Sequence, residues 1–171
     1  MAAVYRRALD TPIGRLVLYG TEQALLAIAL PAQELQGLER RLLRAGEAIF
    51  ENQCSLKEPA RQLTEYFEGR RKAFDLEVEL RGTAFQRSVW QAVAAVSYGR
   101  TRSYAGIADD IGRPSAIRAT GAANGANPLP IVIPCHRIIG SNGSLTGYGG
   151  GLDLKQQLLT LEGATIGQQR A

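Results

Sequence analysis

The stretch NPLPIVIPCHRIIG, residues 127–140, places a cysteine directly after a predicted buried strand. Residues 131–133 form an unbroken apolar run, which predicts a short and fully buried strand. Pro134 should end that strand, because proline has no N–H for a ladder hydrogen bond and fixes its own φ. Cys135 follows at once, and His136, the only histidine of the chain, comes next. The sequence therefore holds a thiol between a rigid proline and an imidazole that can act as a base.

This placement favours a nucleophilic cysteine. A thiolate is a far better nucleophile than a thiol, and a neighbouring base or cation lowers the pKa of cysteine from about 8.5. His136 can take the thiol proton, and Arg137 adds positive charge. Neighbouring residues of an extended segment point to opposite faces, so a direct bond between Cys135 and His136 needs a tight turn or a bridging water. The alternative is a buried structural cysteine, a common state of free cysteine; the proline and the lone histidine favour the nucleophile.

Composition and charge favour a globular protein with an anionic partner. The chain has 171 residues, enough for one or two domains, and 45% of them are hydrophobic. No apolar run approaches the ~18 residues that a membrane span needs. The N-terminus, MAAVYRRALD, lacks the apolar core of a signal peptide, so an intracellular, cytoplasmic protein is expected. The whole net charge of +4 lies in residues 83–171, and this asymmetry favours an anionic partner for the second half.

The two cysteines favour neither a disulfide nor a metal site. Cys54 and Cys135 are 81 positions apart, and nothing in the sequence favours pairing them. Two cysteines and one histidine cannot supply four zinc ligands without carboxylates, and their spacing is not that of a zinc site. We therefore expect no metal, and we interpret Cys54 as structural or without a function.

The first half of the chain predicts a small α+β domain. Ser55 is the expected N-cap of a helix there, with Glu58 as its capping-box partner. Residues 81–83 read as the boundary, which gives an N-terminal domain over 1–81 and a C-terminal domain over 82–171. The hydrophobic patterns predict paired strands, two helices and a further strand, over residues 4–30, 33–45, 56–69 and 73–80 respectively.

The second half predicts a helix-turn-helix followed by a glycine-rich loop. A helix over 84–97 should bury Trp90 in the core, and Ser103 can cap the next helix, which ends at Gly112. Pro114 then opens a second helix over 115–126, although an ordinary αα-hairpin would show the same pattern. After the loop of residues 141–151, a last helix over 152–163 should turn Leu154, Leu158 and Leu161 inward, and the polar tail after Ala164 should fray.

The second of these helices is unusual in composition. Apart from Ile117, Arg118 and Asn124, it contains only alanine, glycine, serine and threonine. A helix that reads bases in the major groove would carry several long polar side chains. Small residues instead let the backbone approach a partner closely, so this helix suits a narrow groove with Arg118 inserted as a single finger.

These segments together resemble the O6-alkylguanine-DNA alkyltransferases. The PCHR motif at 134–137 follows Asn127-Pro128 and the apolar run, with RATGAANGANP upstream and TGYGGG and LEG downstream. The likeness is strongest over residues 82–163. It implies an α+β fold: an N-terminal ribonuclease H-like domain, with a small sheet and helices, and a mainly helical, winged-helix-like C-terminal domain that carries the helix-turn-helix.

The resemblance also implies a reaction. The Cys135 thiolate would attack the alkyl carbon on O6 of guanine, with His136 as its base through a water and Glu162 orienting His136. The thioether product has no easy hydrolysis route, so each molecule should react once, and no cofactor is needed because DNA is the donor. Further roles are implied for Tyr104 as donor to the base ring, Asn127 as a brace of the cysteine turn and Lys155 near the leaving oxygen.

The implied partner is alkylated double-stranded DNA, bound in the minor groove with the damaged base flipped out. Arg118 would enter the stack where that base leaves. A monomer is expected and no membrane partner, while cooperative binding along DNA and O4-alkylthymine repair stay open. The implied pocket consists of Ser141, Tyr148, Gly149 and Pro130. The implied DNA contacts are Arg118, Tyr104, Ala119, Gly121, Ala122, Asn124, Gln86 and Arg137.

Two other functions compete with this one. A sensor that binds alkylated DNA without repairing it would resemble the same family, but such relatives lack the cysteine of this motif. A Cys-His hydrolase would need an oxyanion hole and a general acid, and neither is evident. It would also leave the helix-turn-helix without a role.

Overall fold

The computed structural model describes residues 2–31 and 33–164, and the predicted frayed tail lies outside them. The chain divides into two compact units, Met1–Leu80 and Arg81–Ala171. Along the described chain no helix is both long and apolar enough to cross a membrane. The fold class is α+β, as predicted: the first unit contains a small sheet with helices, and the second is mainly helical.

The first unit is built on a four-stranded sheet of order β3-β2-β1-β4. β1 pairs antiparallel with β2 and β2 with β3, whereas β4 runs parallel to β1. Alternating apolar residues of the sheet pack against α1 in a core that includes Val4, Val17, Tyr19 and Leu42. The elements are β1 (Ala3–Thr11), β2 (Gly14–Gly20), β3 (Leu25–Ala29), α1 (Leu35–Arg44), β4 (Ala48–Glu51) and α2 (Lys57–Phe67).

Two local predictions for this unit are wrong, and one strand was not predicted. Ser55 does not cap α2: the N-cap is Leu56, which has a left-handed backbone and no polar side-chain atom that could accept a capping hydrogen bond. Residues 73–80 form no strand, because Gln62 binds both backbone groups of Asp75 and only one isolated bridge joins Leu25 to Val78. The four-residue β4 was not predicted, because it is a strand through its pairing with β1 and its own sequence pattern is too short to indicate one.

The second unit is built around α3 and the helix-turn-helix. Trp90 of α3 is 2% exposed, which confirms its core position, and its indole N–H donates to the carbonyl of Ala123 at 2.8 Å. α3 begins with a capping box between Thr83 and Gln86, in which the Gln86 amide oxygen accepts the backbone N–H of Thr83 at 3.0 Å. The elements are α3 (Ala84–Ala94), β5 (Arg102–Ser103), α4 (Tyr104–Asp110), α5 (Ile117–Gly125), a 3-10 turn (Cys135–Arg137), β6 (Ile138–Ile139) and α6 (Leu152–Leu161).

The helix-turn-helix forms as predicted from local signals. Ser103 caps α4, because its hydroxyl accepts the N–H of Gly106 at 2.9 Å. Gly112 takes a positive φ of 73° after α4, which glycine adopts without steric cost. Leu161 of α6 does not face inward and is 37% exposed. The buried face of this helix is rotated toward Lys155 and Glu162, whose polar ends are buried with it.

Candidate active site

The segment before the cysteine is a buried turn and not the predicted strand. Ile131 has φ of 76°, and the only ladder contact is one bridge between Pro130 and Ile133. The Asn127 side chain replaces the missing partner strand: it accepts the N–H of Leu129 at 2.9 Å and donates to the carbonyl of Ile133 at 2.8 Å. Prolines at 128, 130 and 134 cannot donate to a ladder, so a side chain holds this backbone. Asn127 therefore braces the approach to Cys135, and its side chain also lowers the pKa of the thiol.

Cys135 starts the 3-10 turn and is 6% exposed. Burial raises the pKa of the Cys135 thiol, while hydrogen bonds from Asn127 and Tyr148 and the charge of Lys155 offset part of that rise. This differs from the lowered pKa that the sequence suggested, because burial outweighs the neighbouring donors. The resting thiol is therefore protonated, and a base must remove its proton when it reacts.

His136 is fully buried and bonded to Glu162. Its Nε2 lies 2.7 Å from Oε1 of Glu162, 26 residues along the chain. Burial lowers the pKa of His136, and the charges of Arg137 and Lys155 lower it further, against the opposing effect of Glu162. A neutral His136 beside an ionised carboxylate must donate from Nε2, so Nδ1 holds the lone pair. Nδ1 is buried and has no hydrogen-bond partner among the described residues, which leaves it as a proton acceptor beside Cys135.

Glu162 stays ionised in this buried setting. Burial alone would raise the pKa of its carboxyl, but hydrogen bonds from His136 and Arg137 outweigh burial and hold the pKa at about 2. The backbone N–H of Gly99 also points to Oε2 at 3.5 Å. Glu162 is therefore a fixed negative charge next to the imidazole, at the C-cap of α6.

Arg137 does not lie where the sequence placed it. We expected a DNA contact, but the side chain is only 6% exposed and its guanidinium is buried on Glu162. Its Nε lies 2.9 Å from Oε2 and its Nη2 2.8 Å from Oε1, while Nη1 donates to the carbonyl of Val96 at 2.6 Å. Because the side chain is buried and all three of its nitrogens are bonded in this way, the guanidinium is not exposed to a phosphate.

Lys155 holds the glycine-rich loop near the cysteine. Its buried Nζ donates to the carbonyls of Ile138 at 2.6 Å, Thr146 at 3.0 Å and Gly147 at 3.4 Å. Burial lowers the pKa of Lys155 to about 8, and the nearby thiol opposes that change. The Tyr104 hydroxyl donates to the same Thr146 carbonyl at 3.0 Å. Lys155 and Tyr104 therefore both attach the loop to the helical part of the site.

The structure brings together some of the predicted pocket residues. Tyr148 lies close enough to the thiol to lower its pKa. Pro130 is buried in the turn before the cysteine, whereas Ser141 and Gly149 are exposed on the loop. Among residues 2–31 and 33–164, no three His, Cys, Asp or Glu side chains lie close enough to hold a metal ion.

The exposed residues of α5 are small, apart from Arg118 and Ile117. Arg118, Ala119 and Ala122 are exposed, and Gly121 lies close to the ring of Tyr104. Asn124 does not belong to this face: it is 5% exposed, and its amide donates to the carbonyl of Cys135 at 3.4 Å. The helix thus presents a smooth surface on one side, while its other side contacts the cysteine turn.

Sequence reasoning missed the contacts that join distant segments. The bonds from Arg137 to Glu162 and from Asn124 to Cys135 span 25 and 11 residues. A buried arginine next to a histidine gives no pattern that separates it from a surface arginine. The only available signal was Glu162, a carboxylate on the helix face that also carries the inward leucines.

Comparison with known proteins gives matches over both units. The family model for the 6-O-methylguanine DNA methyltransferase ribonuclease-like domain matches residues 4–80. The model for the DNA binding domain of the same family matches residues 84–164.

Individual relatives match over nearly their whole length. A methylated-DNA–protein-cysteine methyltransferase of Mycolicibacterium paratuberculosis is 48% identical over 156 residues, which cover 91% of this chain and 90% of that one. One from Methanosarcina acetivorans is 43% identical over 161 residues, 94% of this chain and 99% of that one. The crystal structure of Mycobacterium tuberculosis OGT in complex with DNA superimposes with a TM-score of 0.84 at 43% identity, over 93% of this chain and 92% of that one.

Proposed function

The chain belongs to the 6-O-methylguanine DNA methyltransferase family, and on that premise we propose the roles of its residues in repair. The protein repairs DNA by direct reversal, moving the alkyl group of O6-alkylguanine in duplex DNA onto one of its own cysteines, once per molecule. We assign that cysteine to Cys135. The observation that carries the assignment is the buried thiol beside the free Nδ1 of His136, whose Nε2 is bonded to Glu162.

The transfer is an in-line displacement at the alkyl carbon. The sulfur of Cys135 forms the new S–C bond, the C–O6 bond breaks, and its electron pair stays on the oxygen of guanine. The thiol proton passes to Nδ1 of His136 through a bridging water, because the 3-10 turn does not bring the two groups into direct hydrogen bonding. The resulting imidazolium is stabilised by the carboxylate of Glu162.

The departing guanine needs a hydrogen-bond donor. Burial raises the pKa of Tyr104, so its hydroxyl remains a donor at neutral pH. In our proposal, Tyr104 turns from the Thr146 carbonyl to the base ring when the damaged base enters. Lys155 keeps the loop in place through its carbonyl contacts and lies near the leaving oxygen. No cofactor takes part, because the DNA itself supplies the alkyl group.

DNA docks on α5 in the minor groove. The small exposed residues Ala119 and Ala122 let the helix backbone come close to the phosphates, which supports affinity with little base preference. The target base must leave the stack before Cys135 can reach it, and Arg118 fills the space that it leaves. We place the protein in the cytoplasm as a monomer, since its substrate is DNA and its thiol must stay reduced.

Intact-mass analysis after incubation with duplex DNA tests this function. With DNA containing O6-methylguanine, the protein should gain one methyl group, about 14 Da, in a 1:1 ratio to repaired base, because the thioether is stable. A second equivalent of damaged DNA should remain unrepaired. Repeated turnover, or unmethylated protein with repaired DNA, would contradict the proposal, and a duplex with plain guanine is the control.

Arg118→Ala should slow repair of O6-methylguanine in duplex DNA and have little effect on reaction with the free modified base. The arginine is exposed on α5 and acts on extrusion, which the free base does not need. Pseudo-first-order rates with the two substrates give the comparison.

Ala122→Leu serves as the matched variant. Ala122 is exposed on the same helix, so a larger side chain should block docking of duplex DNA while sparing the free base. Equal losses of Arg118→Ala on both substrates would mean that Arg118 supports the fold or the chemistry, and its role as a finger would be wrong.

A further inference from the structure

Arg137 is bonded to Glu162, the carboxylate that also holds His136. Its guanidinium grips both oxygens of Glu162, with distances of 2.9 and 2.8 Å, and its third nitrogen bonds the Val96 carbonyl just after α3. The ring of Tyr98 lies 5.7 Å from the guanidinium carbon. The buried guanidinium of Arg137 is thereby held by Glu162, Val96 and Tyr98.

These hydrogen bonds from Arg137 fix the orientation of the Glu162 carboxylate. Oε1 accepts from Nη2 of Arg137 and from Nε2 of His136, at 2.8 and 2.7 Å. A carboxylate at the end of a glutamate side chain can rotate, and a bidentate arginine fixes its plane because the fork matches both oxygens. Since Nη1 of the same guanidinium bonds the backbone carbonyl of Val96, the carboxylate is fixed relative to the rest of the unit.

We propose that Arg137 is a positioning residue for alkyl transfer: by gripping both oxygens of Glu162 it aims Oε1 at Nε2 of His136 and keeps Nδ1 as the proton acceptor for Cys135. It touches neither the thiol nor the substrate. This inference rests on the proposed function, since it assumes that His136 takes the Cys135 proton. It also explains why an arginine stands beside the cysteine of a DNA-binding protein without being available to DNA.

The charges around His136 give the proposal a pH signature. Glu162, Arg137 and Lys155 are the charged groups that act on it, and the ring of Tyr98 lies against the guanidinium of Arg137. Burial lowers the pKa of His136 most, and the positive charge of Arg137 lowers it further. Removing that charge should raise the pKa of His136. The imidazole would then stay protonated, and unable to accept the thiol proton, up to a higher pH than in the wild type.

The test measures single-turnover methyl transfer from duplex O6-methylguanine as a function of pH. For Arg137→Met we expect at least about a tenfold slower transfer at pH 7. In the plot of transfer rate against pH, the rising limb should be displaced to higher pH. The dissociation constant for DNA and its salt dependence should stay as in the wild type, because the guanidinium contacts no phosphate. Arg137→Lys retains the charge without the fork, so its pH limb should match the wild type while its rate stays reduced.

Two further variants keep the test decisive. Arg61→Met, which breaks a surface ion pair with Glu58 and Glu65 in the first unit, is the matched control and should transfer at the wild-type rate. If Arg137→Met does not fold, Arg137→Met/Glu162→Gln removes the uncompensated carboxylate and should react as fast as Glu162→Gln alone, because Arg137 acts through Glu162. A double variant much slower than Glu162→Gln would overturn the proposal.

The outcomes separate this inference from the proposed function. If the wild type itself leaves no methyl group on Cys135, the proposed function is wrong. If the wild type reacts and Arg137→Met keeps its rate and pH profile, only the role of Arg137 is wrong. Weaker DNA binding with an unchanged transfer rate at saturation would return Arg137 to the DNA contacts.

Discussion

Cys135→Ser should abolish methyl transfer from O6-methylguanine in duplex DNA, leaving no protein-bound methyl group at any incubation time. A serine hydroxyl is a weak nucleophile that needs a strong adjacent base, and the neutral, buried His136 is tuned to accept a thiol proton. The substitution changes one atom in a tightly held turn, so the fold and the DNA affinity should persist. The measurement is peptide mass spectrometry combined with an assay for restored guanine.

The second cysteine provides the matched control. Cys54 is exposed in the first unit, and its backbone N–H bonds the side chain of Asn52. Cys54→Ser should therefore react like the wild type, with the methyl group on the peptide that contains Cys135. A methyl group on Cys54, or repair by Cys135→Ser, would remove Cys135 from the reaction.

Glu162→Gln should have the second largest effect, slowing single-turnover transfer by about 10²–10⁴-fold, the usual contribution of a general base. A neutral amide can donate its NH₂ to Nε2, which would move the imidazole proton to Nδ1 and remove the lone pair that we propose accepts the Cys135 proton. The loss should persist at all pH values, because removing the carboxylate leaves His136 neutral over an even wider range. This distinguishes it from Arg137→Met, whose loss should shrink as pH rises.

The controls for Glu162→Gln address stability and binding. The variant leaves the buried guanidinium of Arg137 without its counter-charge, which is destabilising, so thermal unfolding should be measured beside the rate. Asp153→Asn removes an exposed carboxylate of the same helix and should leave transfer unchanged. A folded Glu162→Gln protein with the wild-type rate at saturating DNA would exclude Glu162 from the mechanism.

Local sequence signals were enough to place the two helices and the turn between them, whereas the fold class also drew on the resemblance to a known family. Ser103 caps α4, Gly112 takes the positive φ after it, and Trp90 lies in the core, each from chemistry that acts within a few residues. The small residues of α5 likewise set the character of its exposed face. Such features are determined by the sequence because the residue itself supplies the hydrogen bond, the backbone freedom or the apolar surface.

The sequence also indicated Cys135 as the candidate nucleophile, although not the protonation state of its thiol. Cys135 beside the only histidine is a pattern that local reading can find. The direction of its pKa depends on how deeply the turn is buried, and the structure shows that burial outweighs the nearby donors. The apolar run at 131–133 likewise predicted burial correctly for Ile131 and Ile133, but the turn there is imposed by the prolines and by the side chain of Asn127.

Only the tertiary structure decided what Arg137 and Asn124 do. Both were expected to meet DNA, and both are buried, Arg137 on Glu162 and Asn124 against the Cys135 carbonyl. Their partners lie 25 and 11 residues away, and a polar side chain can bind any partner of suitable charge that packing brings near it. The residue types fix which bonds can form, while the packing of α5, α6 and the 3-10 turn fixes which of them do.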